Sequence, residues 1–238
     1  MDKESLQENE YEFPYHHLVN IRPFSETKHL FWGYRYAAYI EHVLQTLSQR
    51  KFQSLIDFGC GDGKITAEIQ RAFPGKRIVG VDYSEKSLSF GKAFSPRIEF
   101  STNSDEQFDA FVLIEVLEHI DPSKMSDFLD TLSRNLKSGA FGIITTPSTV
   151  IPTNIKHYQH FTEETFRETL ASHFEVEHIE FVGTVTNGTK FIQRILANKF
   201  FILNYAPLIE RLYRTYTTRY FKGTPTTGAQ VFAVVRKK

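Results

Sequence analysis

Apolar positions recur along the chain with two alternating periods. Tyr36, Tyr39/Ile40, Val43/Leu44 and Leu47 fall at helical spacing and predict a helix over 34–47. Ser54–Phe58 is a short apolar run stopped by glycines, which reads as a buried strand. Ile65, Ile69 and Phe73 restore a helical stripe over 64–73, broken by Pro74-Gly75. Arg77–Asp82 is the next strand, Ser84 can N-cap a helix through about Ala93, and a short strand follows at 97–100. The run Ala110–Ile114 predicts another strand. Asp121-Pro122 opens a helix whose stripe is Met125, Phe128, Leu129, Leu132 and Leu136, with Gly139 as its stop. Strand Phe141–Thr145, a helix capped by Thr162 and carrying Phe166 and Leu170, and strands Val176–Val182 and Val231–Arg236 complete the series. This alternation predicts an α/β sheet, largely parallel, with helices on both faces. Only Asn187–Gly223 interrupts the rhythm, as helices inserted between the last two strands.

Composition adds a boundary and an asymmetry. The 238 residues are 41% hydrophobic and 24% charged, which excludes global disorder and suits one large domain. Lys and Arg number 28, as do Asp and Glu, so a whole-chain basic footprint for nucleic acid is missing. Yet from Lys190 onward ten basic residues face one acid, Glu210, so that segment carries +9 and residues 1–189 carry −9. The single cysteine, Cys60, excludes an intramolecular disulfide and a cysteine-clustered zinc site. The acidic opening MDKESLQENEYEF does not read as a signal peptide, and no apolar run approaches the ~18 residues of a membrane span. A soluble cytoplasmic protein is the expectation.

The chemistry concentrates in Asp57-Phe-Gly59-Cys-Gly61-Asp-Gly63. Glycines between a strand and a helix let backbone approach a ligand, and the helix N-terminus supplies N–H donors. A P-loop would need Gly at 58 and Ser or Thr at 65, where Phe58 and Ile65 stand, and the dinucleotide fingerprint wants a small residue where Lys64 stands. Both fail. Asp82 ends the next strand, 19 residues after Gly63, where a carboxylate can accept both hydroxyls of a ribose.

Together with Val79-Gly-Val-Asp-Tyr83 and Phe108–Ile120, this loop resembles the successive motifs of class I S-adenosylmethionine-dependent methyltransferases over about 34–182 and 229–237. The resemblance implies a Rossmann-like, seven-stranded, mostly parallel sheet whose last strand is antiparallel and preceded by the helical insertion. It implies S-adenosylmethionine as cofactor, with Gly59 and Gly61 against its amino-acid moiety, Asp57 orienting that moiety, Asp82 holding the ribose, Asn103 a candidate for the adenine, and Cys60, Tyr83 and Glu115 also among the cofactor-binding residues, Cys60 as a small packing residue of the loop. The family often places an acid after the third strand. Here the stretch is Ser101–Asp105, and Asn103 and Asp105 both remain candidates.

Glu115-Val-Leu-Glu118-His119 ends the fourth strand, and His157-Tyr-Gln-His160 follows the fifth, so His119, His157 and His160 are candidate catalytic bases at one sheet edge. Glu115, Glu118, His119 and His160 are the candidate ligands of a divalent ion, magnesium or manganese. Similar words serve as a metal site in small-RNA 2′-O-methyltransferases and occur in ubiquinone-pathway O-methyltransferases.

Residues 1–33 read as an N-terminal arm, with Glu10–Leu18 either covering the ligand or packing on the sheet, and 34–238 as the catalytic domain. Tyr34, Arg35 and Tyr36 are candidates to meet the cofactor carboxylate. The basic, aromatic insertion at about 187–223 suits a lid, a homo-oligomer interface or an anionic surface. The expected reaction is O-methylation of a small molecule or a sugar of a bacterial glycan pathway. The alternatives are a metal-dependent RNA ribose 2′-O-methyltransferase, which the missing basic footprint disfavours, and a non-catalytic module that kept the fold.

Overall fold

In the computed structural model, which describes residues 2–18, 33–184, 186–189, 191 and 205–238, one sheet carries the chain. The strands are β1 (Ser54–Phe58), β2 (Arg77–Val81), β3 (Glu99–Ser101), β4 (Phe108–Ile114), β5 (Leu136–Pro147), β6 (Phe174–Thr184), β7 (Lys222–Gly223) and β8 (Gly228–Lys237). Their spatial order is β3-β2-β1-β4-β5-β8-β6-β7. β1 pairs in parallel with both β2 and β4, so the strand order reverses there and the carboxyl ends of β1 and β4 flank a crevice. β8 runs antiparallel to both β5 and β6, as the resemblance implies. The two-residue β7 makes the eighth strand, added at the edge through Phe181–Gly223 and Val182–Lys222.

The described helices are α1 (Lys3–Glu10), α2 (Gly33–Ser48), α3 (Lys64–Ala72), α4 (Glu85–Phe94), α5 (Met125–Arg134), α6 (Glu163–Leu170) and α7 (Ala206–Arg219). One core cluster joins α2, α3 and α7 to the sheet through residues such as Ile40, Ile69, Val112, Tyr216 and Phe232. A second joins α5 and α6 to it through Leu129, Phe166, Phe111 and Val231. Leu88 of α4 closes a third cluster with Phe100 and Cys60. The helical part of the insertion that is described is therefore built into the core: Ile209, Tyr213 and Tyr216 of α7 are buried.

One boundary differs from the periodicity. Leu136 continues the apolar stripe of α5 but opens β5, paired with Phe108. Asn135 ends the helix, its side-chain amide donating to the carbonyls of Ser104 at 2.5 Å and Glu106 at 3.2 Å. Those bonds pull the chain into the sheet, and Gly139, at φ +69°, lies within the strand and does not stop a helix.

Candidate active site

Two adjoining cavities of ≈ 450 and ≈ 270 Å³ lie over the carboxyl ends of β1, β2 and β4. Both are walled by Gly59, Glu115, His119 and Lys156, and both are roofed by Gln7 and Tyr11 of the N-terminal arm. The floor is the glycine loop. Gly59, Gly61 and Gly63 have φ of +82°, +53° and +76°, which only glycine adopts readily. A Cβ on Gly59 would stand 2.5 Å from Val116 Cγ2, so the loop leaves no room there for a side chain.

Carboxylates anchor this loop from two sides. Asp82 accepts from the N–H groups of Gly61 at 2.8 Å and Ser84 at 2.9 Å, and it lines the larger cavity with Tyr83. Asp57 is 1% exposed and accepts from the Thr66 hydroxyl at 2.6 Å. Burial pushes its carboxyl up to about 7. Cys60 lines the smaller cavity with its thiol pushed up by burial, as suits a packing residue in the loop. Tyr36 lines that cavity too; Arg35 instead donates to the carbonyl of Gly183 at 3.3 Å, and the side chain of Tyr34 lies outside the described residues. Asn103 is exposed and lines neither cavity; Thr102 stands at the wall in its place.

Above the floor sits the Glu-x-x-Glu-His word. Glu115 holds a positive φ of +55°, rare for a residue with a side chain, and its carboxylate accepts from the Thr145 hydroxyl at 3.1 Å. Glu118 is 1% exposed and accepts from the Thr146 hydroxyl at 3.1 Å. Burial raises both carboxyls, and the neighbouring Glu115 raises Glu118 further. Glu118, His119 and His157 bring one donor atom each within 4.8 Å of one another. Burial lowers His119 to about 4 and His157, with help from its histidine neighbours, to about 3, so both rings are neutral near pH 7. His160 lines neither cavity and is not in this group. Its Nε2 meets His157 Nδ1 at 2.7 Å and its Nδ1 donates to the carbonyl of Ile151 at 2.9 Å. Glu115 also stands outside the group of three.

The arm supplies contacts that the motifs did not announce. The side chains of His16 and His17 reach Asp62 of the glycine loop, at its carboxylate (3.1 Å) and its carbonyl (2.8 Å) respectively. Lys156 pairs with Glu10, and Lys3 donates to the carbonyl of His157. No apolar stripe marks α1, which buries none of its residues; its sequence signal is Asp2, an N-cap accepting from Ser5 N–H at 2.7 Å.

A doubly wound sheet with a glycine loop after β1, an acid after β2 and a cleft at the switch point defines a nucleotide-type cofactor fold. Comparison with known proteins then places it. A family model described as a methyltransferase domain matches residues 31–183, and the chain belongs to the class I S-adenosylmethionine-dependent methyltransferases. It is 30% identical over 114 residues to the mitochondrial ubiquinone biosynthesis O-methyltransferase of Dictyostelium discoideum, covering 39% of this chain and 35% of that one. The curated relatives it matches are aligned over only 35%, 39% and 44% of their length. Among solved structures, a SAM-dependent methyltransferase of Archaeoglobus fulgidus has a TM-score of 0.54 at 19% identity, covering 84% of this chain and 94% of that one. The N-methyltransferase NodS of Bradyrhizobium japonicum WM9 has a TM-score of 0.58 at 14% identity, covering 85% and 96%. At such identities they speak to the fold.

The family implies S-adenosylmethionine, and the residues present fit it. The cleft floor at Gly59 is bare backbone with no room for a side chain, and two wall atoms, Gln7 Oε1 and His119 Nδ1, are buried without a hydrogen-bond partner among the described residues. Among the described residues no helix is long and apolar enough to cross a membrane.

Proposed function

We propose that the protein transfers a methyl group from S-adenosylmethionine to a hydroxyl of a small molecule or sugar. The observation that carries this reading is the convergence of Glu118, His119 and His157 on one side of a cleft whose other side is the glycine loop and Asp82. Asp57, Gly59, Cys60 and Gly61 would hold the amino-acid moiety, and Asp82 with Tyr83 the ribose; the cofactor supplies an activated methyl on a sulfonium. The chain's task is then to align the acceptor oxygen and take its proton. The O-methyltransferase named among its relatives supports oxygen as the acceptor atom. The acids around the cleft, Glu4, Glu10, Asp57, Asp62, Asp82, Glu115 and Glu118, outnumber Lys3, Lys64 and Lys156, which supports a small acceptor over an RNA chain.

Two agents for the proton are compatible with these residues. A bare imidazole at about 4 is neutral at pH 7 but a weak base for an alcohol or phenol. The donor set favours the second agent: Glu118, His119 and His157 would hold a divalent ion such as manganese or magnesium, which lowers the pKa of a bound hydroxyl. His160 then orients His157 and is not itself a ligand.

The test is S-adenosylhomocysteine release from a panel of phenols, sugars and amines, with and without EDTA. Turnover of hydroxyl acceptors that EDTA abolishes and Mn²⁺ restores is the expected result. EDTA-indifferent turnover lost in His157→Ala leaves the base. Turnover of amines alone overturns the reading.

A further inference from the structure

The charge asymmetry of the sequence has a structural address. In the basic C-terminal segment, Lys222 pairs with Glu180 at 2.9 Å and Arg236 with Glu177 at 2.5 Å, while Lys237 donates to the carbonyls of Ser133 and Leu136. Arg211, Arg214 and Arg219 of α7 differ. All three are exposed, and their side chains form no ion pair or hydrogen bond among the described residues.

Helical geometry gathers Arg211 and Arg214 on one face. α7 buries Ile209, Tyr213 and Tyr216 against the core, so the opposite stripe is Pro207, Arg211, Arg214 and Thr218, at i, i+4, i+7 and i+11. Glu210, the one acid of the helix, lies on the flank of that stripe, half-buried. Apolar surface stays in water beside the arginines: Leu208 is 37% exposed, and Tyr205 and Tyr220, which bracket the helix, are 59% and 38% exposed.

We propose that this outward face of α7 docks the protein on an anionic lipid bilayer. Guanidinium groups match headgroup phosphates, and a tyrosine or leucine body settles at the boundary between headgroups and acyl chains. The mixture decides between partners. An RNA strand would engage the arginines, yet the two exposed rings sit at opposite ends of a helix of 14 residues, and the rings between them, Tyr213 and Tyr216, are buried and cannot stack a run of bases. A second copy meeting this face by twofold symmetry would set Arg211 and Arg214 against their own like charges. A sheet of phosphates with an apolar layer beneath satisfies both kinds of residue at once. The inference rests on α7 and is independent of methyl transfer.

Co-sedimentation of the full chain with vesicles tests it, using phosphatidylcholine alone or mixed with phosphatidylglycerol, at low and high salt. Binding to the mixed vesicles, reversed by salt, is expected. Each basic residue near an anionic surface counts, so Arg211→Glu/Arg214→Glu should weaken that binding by about tenfold or more. Leu208→Ser should weaken it less, and unchanged melting of the variants shows that the fold persists. Failure of the unaltered protein to bind phosphatidylglycerol vesicles overturns the proposal. So does equal binding to both vesicle types, undiminished binding by the double variant and its milder Arg211→Gln/Arg214→Gln counterpart, or tight binding of a single-stranded RNA oligonucleotide without vesicle binding.

Discussion

His160 stands behind His157: the 2.7 Å contact between His160 Nε2 and His157 Nδ1 is completed by the bond from His160 Nδ1 to the carbonyl of Ile151. A carbonyl can only accept, so His160 Nδ1 carries a proton, and in the neutral ring Nε2 is the acceptor. The chain of bonds therefore sets His157 as the Nδ1–H tautomer, with its Nε2 accepting from the Asn154 amide at 3.0 Å, a bond that an ion bound at His157 would displace. His160→Ala should lower turnover by about 10–100-fold while cofactor affinity holds, as is typical when the partner that orients a working imidazole is lost. Partial recovery in His160→Gln, which keeps an acceptor, separates positioning from folding. Equal turnover in the unaltered protein and both variants would remove His160 from the site.

Asp82 holds Gly61 and Ser84 through two backbone bonds and lines the larger cavity. Asp82→Asn keeps the shape but removes the charge and one acceptor. A charge-assisted bond contributes about 1.5–3 kcal/mol, so the cofactor dissociation constant should rise roughly 10- to 150-fold. Titration calorimetry with S-adenosylmethionine measures it directly.

Gly59→Ala combines two faults, a Cβ 2.5 Å from Val116 Cγ2 and a φ of +82°. The backbone strain alone costs about 1–3 kcal/mol. Melting should fall and cofactor binding should be lost; adding Val116→Ala should relieve the contact and not the strain, giving partial recovery. Full recovery would mean that the dihedral carries no penalty.

Much of this was legible in the chain. The β1–glycine loop–α3 passage is punctuated at both ends, and Asp82 follows a strand that no other element imitates. What escaped did so for local reasons. β3 ends at Ser101, one residue later than the apolar run indicates, and the residue directly after it, Thr102 and not Asn103, stands at the cleft wall. His157 and His160 are three apart in a loop, and only the bond network shows which one faces the cleft. α1 lies on the roof of the cleft and buries no residue, so hydrophobic periodicity has nothing to detect.

Glu180 ties α2 to the sheet edge, with His42 Nε2 at 2.6 Å and Lys222 Nζ at 2.9 Å. Although burial raises its carboxyl, hydrogen bonds from His42 and Lys222 outweigh it and bring the group down to about 2, from 4.5. A depressed carboxyl favours the folded state above its unfolded value and loses that contribution as pH falls through the folded value. The unaltered protein should therefore melt higher than Glu180→Gln at pH 7, with the gap closing between about pH 4.5 and 2. A gap independent of pH would assign the effect to packing.

The arm that roofs the cleft is fastened to the glycine loop by the contacts of His16 and His17 with Asp62, whose side chain is 4% exposed. His17 also stacks on Phe94, with ring centroids 4.3 Å apart, and Tyr11 Oη lies 3.2 Å from where a Cβ of Gly61 would stand. A ligand seated between loop and arm can leave only when these contacts open, whereas entry into an already open arm does not require breaking them. His16→Ala/His17→Ala should therefore speed S-adenosylhomocysteine release more than it changes association. Two hydrogen bonds at about 1 kcal/mol each correspond to a rise in the off-rate on the order of 30-fold. Stopped-flow displacement with excess unlabelled ligand reads that rate. Because the imidazoles lie at the arm and outside the sheet core, the melting temperature should move little. An off-rate that stays put while melting falls would make the two histidines supports of the fold and would leave ligand retention to other residues.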